Sequence, residues 1–505
     1  MDNLLNKKYF KYILIFSWVL LLVTFVSKCS FLYRMNDWYD SNCYFTVAYS
    51  MKNGGFTLYR DIYEQKGPYL YFIHIMAISI IPNSYVGMYL FELLYGTIFA
   101  IFSYKILSLY IESDKRKIIW VILFTTLYYM APSFASGDSV EESVLPLEMI
   151  ALYFIIKAYK NKSHIKWYET ALIGLFTGFI LLSKFIDIGI FAGIMVMVVI
   201  YDLIDKKIKD AFLQIPYFLL GFLISLIPAI IYFVSTNAMN DFLTSYFYNN
   251  IFLYSGQADS FIKKLAMPLL AYATSIAGCY SVYILIITAL IYAIRFKLCK
   301  TRLFITMLVS YILMAILAFA GGGVYIYYGL IFVCFGIFGI IALDRYSYDW
   351  KLFEMINRRR IKFLAIYLPI CFLLAFIVNE DGWFVFRPRN TYPQLAMSDI
   401  INDYNKNHEE KATILTYNTL DYGLYYNTNT LPSTKYFCGL NIPLKEIKEE
   451  QNYLLENGLV TYVGTMNETL PEQYMDKYHL KYTDSSWFEF AIHTYYLYEL
   501  NEASK

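Results

Sequence analysis

Acidic, basic and tyrosine side chains are concentrated in residues 36–68, directly after the first apolar run of a chain that is otherwise rich in hydrocarbon. Asp37, Asp40 and Tyr44 are spaced i, i+3 and i+7, a spacing that places side chains on one face of a helix. A carboxylate on such a face can act as a general base toward a hydroxyl group. The alternative interpretation is a solvated loop that ends in a helix cap, because loop carboxylates are common.

The same segment carries two cations, Lys66 in the sequence Gln-Lys-Gly-Pro and Arg60 upstream of it. A cation at the depth of lipid headgroups can hold a phosphate and can stabilise the charge that grows on a leaving phosphate. The alternative is a lysine that only anchors a helix by extending its ammonium group to the interface. The position of Lys66 beside the Asp40 cluster favours the binding role.

A second acidic group lies further along the chain, in the sequence Ser-Gly-Asp-Ser-Val-Glu-Glu-Ser. Ser139 and Glu142 have the spacing of a capping box, which is a routine helix start. The functional alternative is a group that orients a substrate or binds a divalent cation, Mg²⁺ or Mn²⁺, through oxygen ligands. Because capping accounts for Glu141 or Glu142, Asp138 is the stronger catalytic candidate of the three, with Glu141 as a binding candidate.

Lys184 lies at the end of an apolar run, three residues before Asp187. The two can form a simple ion pair, but charges within membrane segments indicate function by default, so Lys184 is a second candidate phosphate ligand. The turn Gly321–Gly329 contains Tyr327 and Tyr328. Tyrosines at a membrane interface usually form aromatic belts, and contact with a substrate is the second interpretation for Tyr328.

The composition identifies a membrane protein. Of 505 residues, 58% are hydrophobic and only 16% are charged, against roughly a quarter in a soluble domain. The net charge of +2 gives no argument for nucleic acid as a partner. The seven cysteines show no paired spacing and predict no disulfide framework. Ile13–Val26 follows three lysines without a small-residue cleavage site, which is typical of a signal anchor.

About eleven apolar runs are long enough to predict membrane-spanning helices. They lie near residues 10–28, 86–108, 117–134, 144–158, 168–184, 188–204, 212–234, 267–294, 303–320, 324–343 and 362–379. The basic loops between them fall on one side, which the positive-inside rule makes cytoplasmic. The N-terminus is then cytoplasmic and the C-terminus outside. Tyr69–Ile81 is too short for a span and predicts a helix in the outer interface.

The predicted architecture has two parts. Residues 1–379 form an all-α polytopic region, with a first outer loop at 29–85, a second at 134–143 and additional interfacial helices. Residues 380–505 are polar and predict a small extracytoplasmic α/β domain. Its expected elements are strands near Ala412–Tyr417 and Leu459–Gly464 and helices near 393–407 and 443–457.

The first outer loop resembles that of the GT-C class of polytopic glycosyltransferases, in the branch of the protein mannosyltransferases and aminoarabinose transferases, families 39 and 83. The similar motifs are Asp40-Ser-Asn-Cys-Tyr44, Gly55-Phe-Thr-Leu-Tyr-Arg-Asp61 and Lys66-Gly-Pro68. A later acid, a Ser-Lys pair and a Tyr-rich turn are more loosely similar. One position departs from the pattern: aminoarabinose transferases carry Arg where this chain has Cys43, so a phosphate contact there must come from Arg60 or Lys184.

The resemblance implies a multi-pass cell-membrane enzyme that transfers a sugar from a polyprenyl-phosphate carrier on the outer face, with inversion. The implied acceptor is a hydroxyl of a glycan, a glycolipid or a protein in the cell envelope. Asp40 is then the base and Lys66 the phosphate ligand. No cofactor is certain, and a divalent cation stays an expectation. Two alternatives remain: a transporter or lipid flippase, against which the chain shows no inverted repeat, and a polysaccharide polymerase.

Overall fold

The computed structural model describes residues 9–254, 261–349, 360–488 and 491–501. The chain forms two compact units, each assembled from three separate stretches. The helical unit comprises Met1–Leu32, Tyr89–Pro228 and Ala258–Val385. The sheet-bearing unit comprises Tyr33–Met88, Ala229–Gln257 and Phe386–Lys505. The predicted boundary at residue 380 rests on composition and stays a prediction.

Helices dominate the described residues. In chain order they are α1 (Phe10–Val26), α2 (Tyr39–Asn53), α3 (Pro68–Ile80), α4 (Val86–Leu107), α5 (Asp114–Tyr129), α6 (Val140–Lys160), α7 (Trp167–Lys184), α8 (Gly189–Ile204), α9 (Ile208–Ser235), α10 (Met239–Phe242), α11 (Phe261–Gly278), α12 (Tyr280–Arg295), α13 (Arg302–Phe319), α14 (Gly336–Asp349), α15 (Arg360–Val378), α16 (Pro393–Asn407), α17 (Leu424–Thr428) and α18 (Lys445–Glu456). A π-helix follows α10 at Leu243–Leu253, and a 3₁₀ helix precedes α14 at Ile326–Phe335.

Five helical stretches within the described ranges are long and apolar enough to cross a membrane, or six if one bent pair counts as a single span. They are Val86–Leu107, Trp167–Ile204, Ile208–Ser235, Arg302–Phe319 and Ile326–Ser347. Shorter apolar helices lie at Phe10–Val26, Pro68–Ile80 and Phe363–Val378. The predicted multi-pass membrane architecture is therefore confirmed, and the short helix predicted near Tyr69–Ile81 is present as α3.

Two of the predicted spans form helices that belong neither to the five long stretches nor to the shorter apolar helices. Both α5 and α6 are helical, but α5 begins with four consecutive charged residues and α6 carries three glutamates. The span predicted near 267–294 is different in kind: α11 and α12 meet at an angle of 97°. Gly278 at this bend lies so close to Ile326 and Ser133 that a Cβ atom would meet their side chains at 2.4 and 2.6 Å, so any larger residue would force these neighbours to shift.

The first outer loop folds as two helices with a turn before the second. Trp38 is the N-terminal flanking residue of α2, so Asp37 lies outside the helix and only Asp40 and Tyr44 share the predicted face. Pro68 occupies the first position of α3, where its fixed φ angle suits a helix and its missing N–H costs nothing. The Lys66-Gly-Pro68 motif is thus a helix start.

A four-stranded sheet forms in the C-terminal stretch of the sheet-bearing unit. Its order is β1 (Ile414–Thr416), β2 (Tyr462–Met466), β4 (Ala491–Leu500), β3 (Tyr478–Phe488). Strand β1 pairs with β2 in parallel, and the other two pairs are antiparallel. The predicted strands and helices of this region are confirmed as β1, β2, α16 and α18. The hairpin β3–β4 is an element that the sequence pattern did not predict, because β3 is exposed over most of its length.

One buried carboxylate joins α2 to this C-terminal stretch within the sheet-bearing unit. Asp421 accepts hydrogen bonds from the Thr46 hydroxyl at 2.7 Å and from the N–H groups of Gly423 and Leu424 at 3.0 and 3.1 Å. Burial raises the pKa of Asp421 to about 6, although these hydrogen bonds oppose the shift. Asp421 therefore fastens the helix that carries Asp40.

This carboxylate predicts a pH-dependent stability. Its pKa is raised in the folded state, so its stabilising contribution is complete below pH ~4 and is lost as the pH rises through about 6. A shift of about two units corresponds to roughly 3 kcal/mol. We expect Asp421→Asn to melt higher relative to the wild type at pH 7.5 than at pH 4.5. Thermal unfolding of both proteins in detergent measures this. A melting difference that does not change with pH would contradict the assignment.

Candidate active site

Asp40 and Lys66 lie side by side in the sheet-bearing unit. The Lys66 Nζ atom is 3.8 Å from Asp40 Oδ2, and the two side chains are only 12% and 14% exposed. The Tyr44 hydroxyl donates a hydrogen bond to the same carboxylate oxygen at 3.2 Å. Asp40 and Tyr44, which the sequence predicted on one helix face, are thus joined by Lys66, because one turn of α2 aligns the first two residues and the turn before α3 positions the lysine.

A third ionisable residue, Glu64, holds the turn that carries Lys66. Its Oε2 atom accepts the backbone N–H of Lys66 at 2.7 Å and also accepts the Tyr71 hydroxyl. Glu64 is buried, and this burial raises the pKa of its carboxyl group, whereas the positive charge of Lys66 acts in the opposite direction. Lys66 therefore lies in the field of two carboxylates, Asp40 and Glu64.

Sequence reasoning missed Glu64. The residue stands two positions before Lys66, and the only available signal was a carboxylate close to a predicted helix start that begins with Gly-Pro. That signal is weak, because such residues are common in solvated loops. Only the tertiary structure shows that Tyr71, one turn into α3, covers the carboxylate.

Aromatic rings enclose this group. Tyr44 makes edge contacts with Trp38, Tyr71 and His74, with ring centroids 6.3, 6.4 and 5.5 Å apart. The Tyr59 hydroxyl donates to the backbone carbonyl of Lys66 at 2.5 Å. Two hydrogen bonds therefore fix the backbone of Lys66: its carbonyl accepts from Tyr59, and its N–H donates to Glu64. The fixed backbone orients the Lys66 ammonium group toward α2.

Arg60 makes its contacts elsewhere in the same unit. Its guanidinium group donates to Asp61 at 3.0 Å, to the Thr57 hydroxyl at 2.7 Å and to the backbone carbonyl of Thr236 at 2.7 Å. Its side chain is 45% exposed, and its hydrogen bond to Asp61 lowers the pKa of the Asp61 carboxyl group. Arg60 therefore connects the turn at residues 57–61 to the segment that follows α9. The predicted contact of Arg60 with a phosphate stays a prediction.

Asp37 and Cys43 have partners in the C-terminal stretch of the unit. Asp37 is buried and lies 3.9 Å from the Arg387 guanidinium group. The Cys43 sulfur lies 3.9 Å from that of Cys438, and burial raises the pKa of both thiols. Cys43, which occupies the motif position where aminoarabinose transferases carry Arg, therefore faces the protein interior.

The helical unit gathers a second group of predicted residues. Lys184 forms an ion pair with Glu141, and both side chains are buried. The Lys184 ammonium also lies 3.9 Å above the ring of Tyr328 and 5.1 Å from the ring of Tyr327. The ammonium thus meets a carboxylate and the negative faces of two rings. Glu141 is a partner for Lys184 that the sequence spacing did not indicate, and the pair of Lys184 with Asp187 stays a prediction.

The second outer loop has the predicted helix cap. The Ser139 hydroxyl accepts the backbone N–H of Glu142 at 3.1 Å. The Glu142 carboxylate accepts the N–H of Asp138, as does Glu92, at 3.1 and 2.7 Å. Asp138 is buried and has a φ of +62°, a left-handed conformation that aspartate tolerates better than most residues. The catalytic role of Asp138 stays a prediction.

Within the described ranges, no three or more His, Cys, Asp or Glu residues lie close enough together to hold a metal ion. The nearest oxygen-rich candidates in the first loop, Asp40 and Glu64, flank the Lys66 ammonium. Two carboxylates beside an ammonium group do not provide the oxygen cage that Mg²⁺ prefers, and the predicted divalent cation stays a prediction.

This architecture is the GT-C fold. The structure is similar to ArnT, an aminoarabinose transferase, from Cupriavidus metallidurans. The structure of ArnT bound to undecaprenyl phosphate matches with a TM-score of 0.63 and 13% identity, over 96% of this chain and 97% of that chain. The apo structure matches with a TM-score of 0.62 and 12% identity, over the same shares. No protein-family model and no curated protein sequence matches the chain.

The covered Glu64 carboxylate gives a stability prediction. Tyr71→Phe removes a hydrogen-bond donor from a buried carboxylate and is expected to cost about 1–3 kcal/mol of the free energy of unfolding. Tyr453→Phe, at an exposed tyrosine of α18, is the matched control and should be neutral. Thermal unfolding in detergent compares the three proteins. Equal melting temperatures for wild type and Tyr71→Phe would refute the role of this hydrogen bond.

Proposed function

We propose that this protein is a glycosyltransferase that moves a sugar from a polyprenyl-phosphate carrier to an acceptor hydroxyl on the outer face of the cell membrane. The observation that carries the proposal is the Asp40–Lys66 pair, enclosed by Glu64 and tyrosine rings, in a chain with the GT-C fold. A structurally similar protein, ArnT, is described bound to undecaprenyl phosphate, which is the kind of carrier that the proposal needs.

The reaction requires a base on the acceptor side. As the acceptor hydroxyl attacks the anomeric carbon, its proton passes to the Asp40 carboxylate, and the bond between that carbon and the carrier phosphate breaks. Attack from the face opposite the phosphate inverts the anomeric configuration. Tyr44 donates to the Asp40 carboxylate and thereby fixes its orientation, which general-base catalysis requires.

The carrier phosphate, which leaves as the sugar is transferred, needs stabilisation of its negative charge. The leaving group is a phosphate that takes up the bonding electrons as an anion, so it requires no proton from an acid. The Lys66 ammonium supplies a positive charge where this negative charge develops, in a site from which water is largely excluded. Such an arrangement stabilises the transition state more than the ground state.

The ion pair also links the two sides of the reaction. In the resting protein, the Lys66 ammonium lies 3.8 Å from the Asp40 carboxylate. A carrier phosphate competes for the same ammonium group. When Lys66 turns toward the phosphate, the Asp40 carboxylate loses this contact and can accept a hydrogen bond from the acceptor hydroxyl.

Further parts of the proposal rest on the sequence and the resemblance. Lys184 is a second phosphate ligand, Asp138 and Glu141 orient the sugar or the acceptor, and Tyr328 contacts the substrate. The acceptor is a glycan, a glycolipid or a protein. A requirement for Mg²⁺ or Mn²⁺ is tested by comparing transfer before and after treatment with EDTA.

Substitution of Asp40 tests the proposal directly. Asp40→Asn keeps the shape of the side chain but removes the base, which should lower the transfer rate about 10²–10⁴-fold. Asp399→Asn, at an exposed carboxylate paired with Arg389, is the matched control. The assay follows sugar transfer from a synthetic polyprenyl-phosphate donor by the purified proteins. Transfer by Asp40→Asn near the wild-type rate would exclude Asp40 as the base, and no transfer by folded wild type would favour a transporter.

Lys66 should affect both binding and turnover. A charged hydrogen bond contributes on the order of 1.5–3 kcal/mol, so Lys66→Ala should lower kcat/KM for the donor roughly 10- to 150-fold. Part of the loss should appear in kcat, because the charge on the phosphate grows during the reaction. Lys66→Arg should retain partial activity, and Lys445→Ala, at an exposed lysine of α18, should have no effect. Unchanged donor kinetics in Lys66→Ala would leave Lys66 as an anchor only.

The sidedness of the proposal is tested with thiol labelling. Cys299 is partly exposed and lies in a basic loop, whereas the other six cysteines are buried. In Glu410→Cys, which adds an exposed thiol to the C-terminal stretch, we expect a membrane-impermeant maleimide to label residue 410 in intact cells and Cys299 only after lysis. The reverse order would invert the topology and place the C-terminal stretch in the cytoplasm.

A further inference from the structure

A cavity of about 640 Å³ lies within the helical unit, among residues that the Asp40 chemistry does not use. Its walls come from the C-terminal ends of α6 and α8, the N-terminal end of α13 and the loops that follow α6 and α8. These loops, 161–166 and 205–207, are among the basic ones that the positive-inside rule assigns to the cytoplasm. The cavity is large enough for a small ligand or a lipid headgroup.

The charges around the cavity are unbalanced. Its lining contains four fixed cations and two carboxylates: Lys160, Lys162, Lys207 and Arg302, with Asp202 and Asp205. Both carboxylates are engaged. Arg302 forms two parallel hydrogen bonds to Asp205, at 2.5 and 2.7 Å, and the Asp202 carboxylate lies 3.0 Å from Nδ1 of His164.

Two ammonium groups at the mouth of the cavity therefore lack a carboxylate partner within the described chain. Lys160 is exposed, and its ammonium lies 5.0 Å from the ring of Tyr110, whereas Lys162 stands in the loop that follows α6. Lys207 contacts His164 on the side opposite Asp202. A ligand with negative charge would complete this arrangement.

Part of the apolar lining lies about one helical turn before the cations along α6. Ile155, Ile156 and Val198 are buried lining residues. Ile155 and Ile156 precede Lys160 by about one helical turn, or roughly 6–8 Å along α6. The cations thus stand at the helix ends and the hydrocarbon stands deeper, which is the order of groups in a phospholipid, from its phosphate to its acyl chains. Basic pockets between membrane helices on the cytoplasmic side are suited to phospholipid headgroups.

We propose that this cavity binds the phosphate headgroup of an anionic phospholipid, with Lys160 and Lys162 as its cationic contacts and the layer of Ile155, Ile156 and Val198 against the start of the acyl chains. The site is separate from the Asp40–Lys66 group and does not depend on the proposed transferase activity. The lipid is held by its charge and its hydrocarbon together, so a soluble phosphate should bind much more weakly.

The test uses the full-length protein in mixed micelles of a neutral detergent and phosphatidylcholine. These micelles are titrated with phosphatidylglycerol. Binding is measured by native mass spectrometry and by the rise in melting temperature. The double variant Lys160→Gln/Lys162→Gln should bind phosphatidylglycerol roughly 25-fold more weakly, because each lysine near a membrane surface contributes about a fivefold factor. Its melting temperature without the lipid should equal that of the wild type.

The matched control is Lys206→Gln/Lys209→Gln, which removes the same charge from the loop after α8 and the start of α9, at two positions that do not line the cavity. It should bind the lipid within twofold of the wild type. Three results would overturn the proposal. These are equal losses in both double variants, which would indicate attraction to the surface charge alone; equal binding of phosphatidylglycerol and phosphatidylcholine; and equal protection by millimolar glycerol phosphate, which would indicate a soluble ligand.

Discussion

The Lys66 ammonium and the Asp40 carboxylate face each other with most of their surface removed from water, and this pairing constrains the rest of the sheet-bearing unit. Removing charges from water is costly unless each one is paired and hydrogen-bonded. The unit meets this condition with Tyr44 on the Asp40 carboxylate, and with Glu64 and Tyr59 on the backbone of Lys66. The hydrogen bonds that stabilise these two charges therefore fix the conformation of the first outer loop.

The position of α2 depends in turn on a second buried carboxylate. Asp421 holds α2 through Thr46 and caps its own turn through two backbone N–H groups. The C-terminal stretch therefore does more than follow the membrane region in sequence, because it packs with the first outer loop in one compact unit. A substitution far from Asp40 in sequence can consequently change the position of Asp40.

The helical unit stabilises a buried charge in a different way. Lys184 lies in a buried setting with Glu141 as its counter-ion and with the faces of two tyrosines beside it. Aromatic faces can stabilise an ammonium group without adding a further charge. At the basic loops of this unit the balance differs, since Lys160 and Lys162 have no carboxylate partner in the described ranges, which leaves a cationic cavity open to an anion.

Local patterns predicted much of the fold. Long apolar runs identified the membrane class, and Pro68 after Gly67 identified the start of α3. The helices α16 and α18 and the strands β1 and β2 were also predicted, and the two strands are short, continuously buried runs of the kind that residue pattern alone can indicate. The hairpin β3–β4 was not, since a mostly exposed strand lacks the alternation that marks a half-buried one. The 97° bend between α11 and α12 was missed because hydropathy reports how apolar a segment is and carries no information on its direction.

The sequence by itself determined that the chain is a multi-pass membrane protein and that Asp40, Tyr44 and Lys66 are its strongest chemical candidates, because composition, spacing and helix periodicity are local properties. Only the tertiary structure decided which charges meet. It paired Asp37 with Arg387 and Lys184 with Glu141, it joined Arg60 to the backbone carbonyl of Thr236, and it added Glu64 to the Lys66 turn. These choices depend on contacts between distant segments and on the cost of burying each charge, and neither can be read from the spacing of residues along the chain.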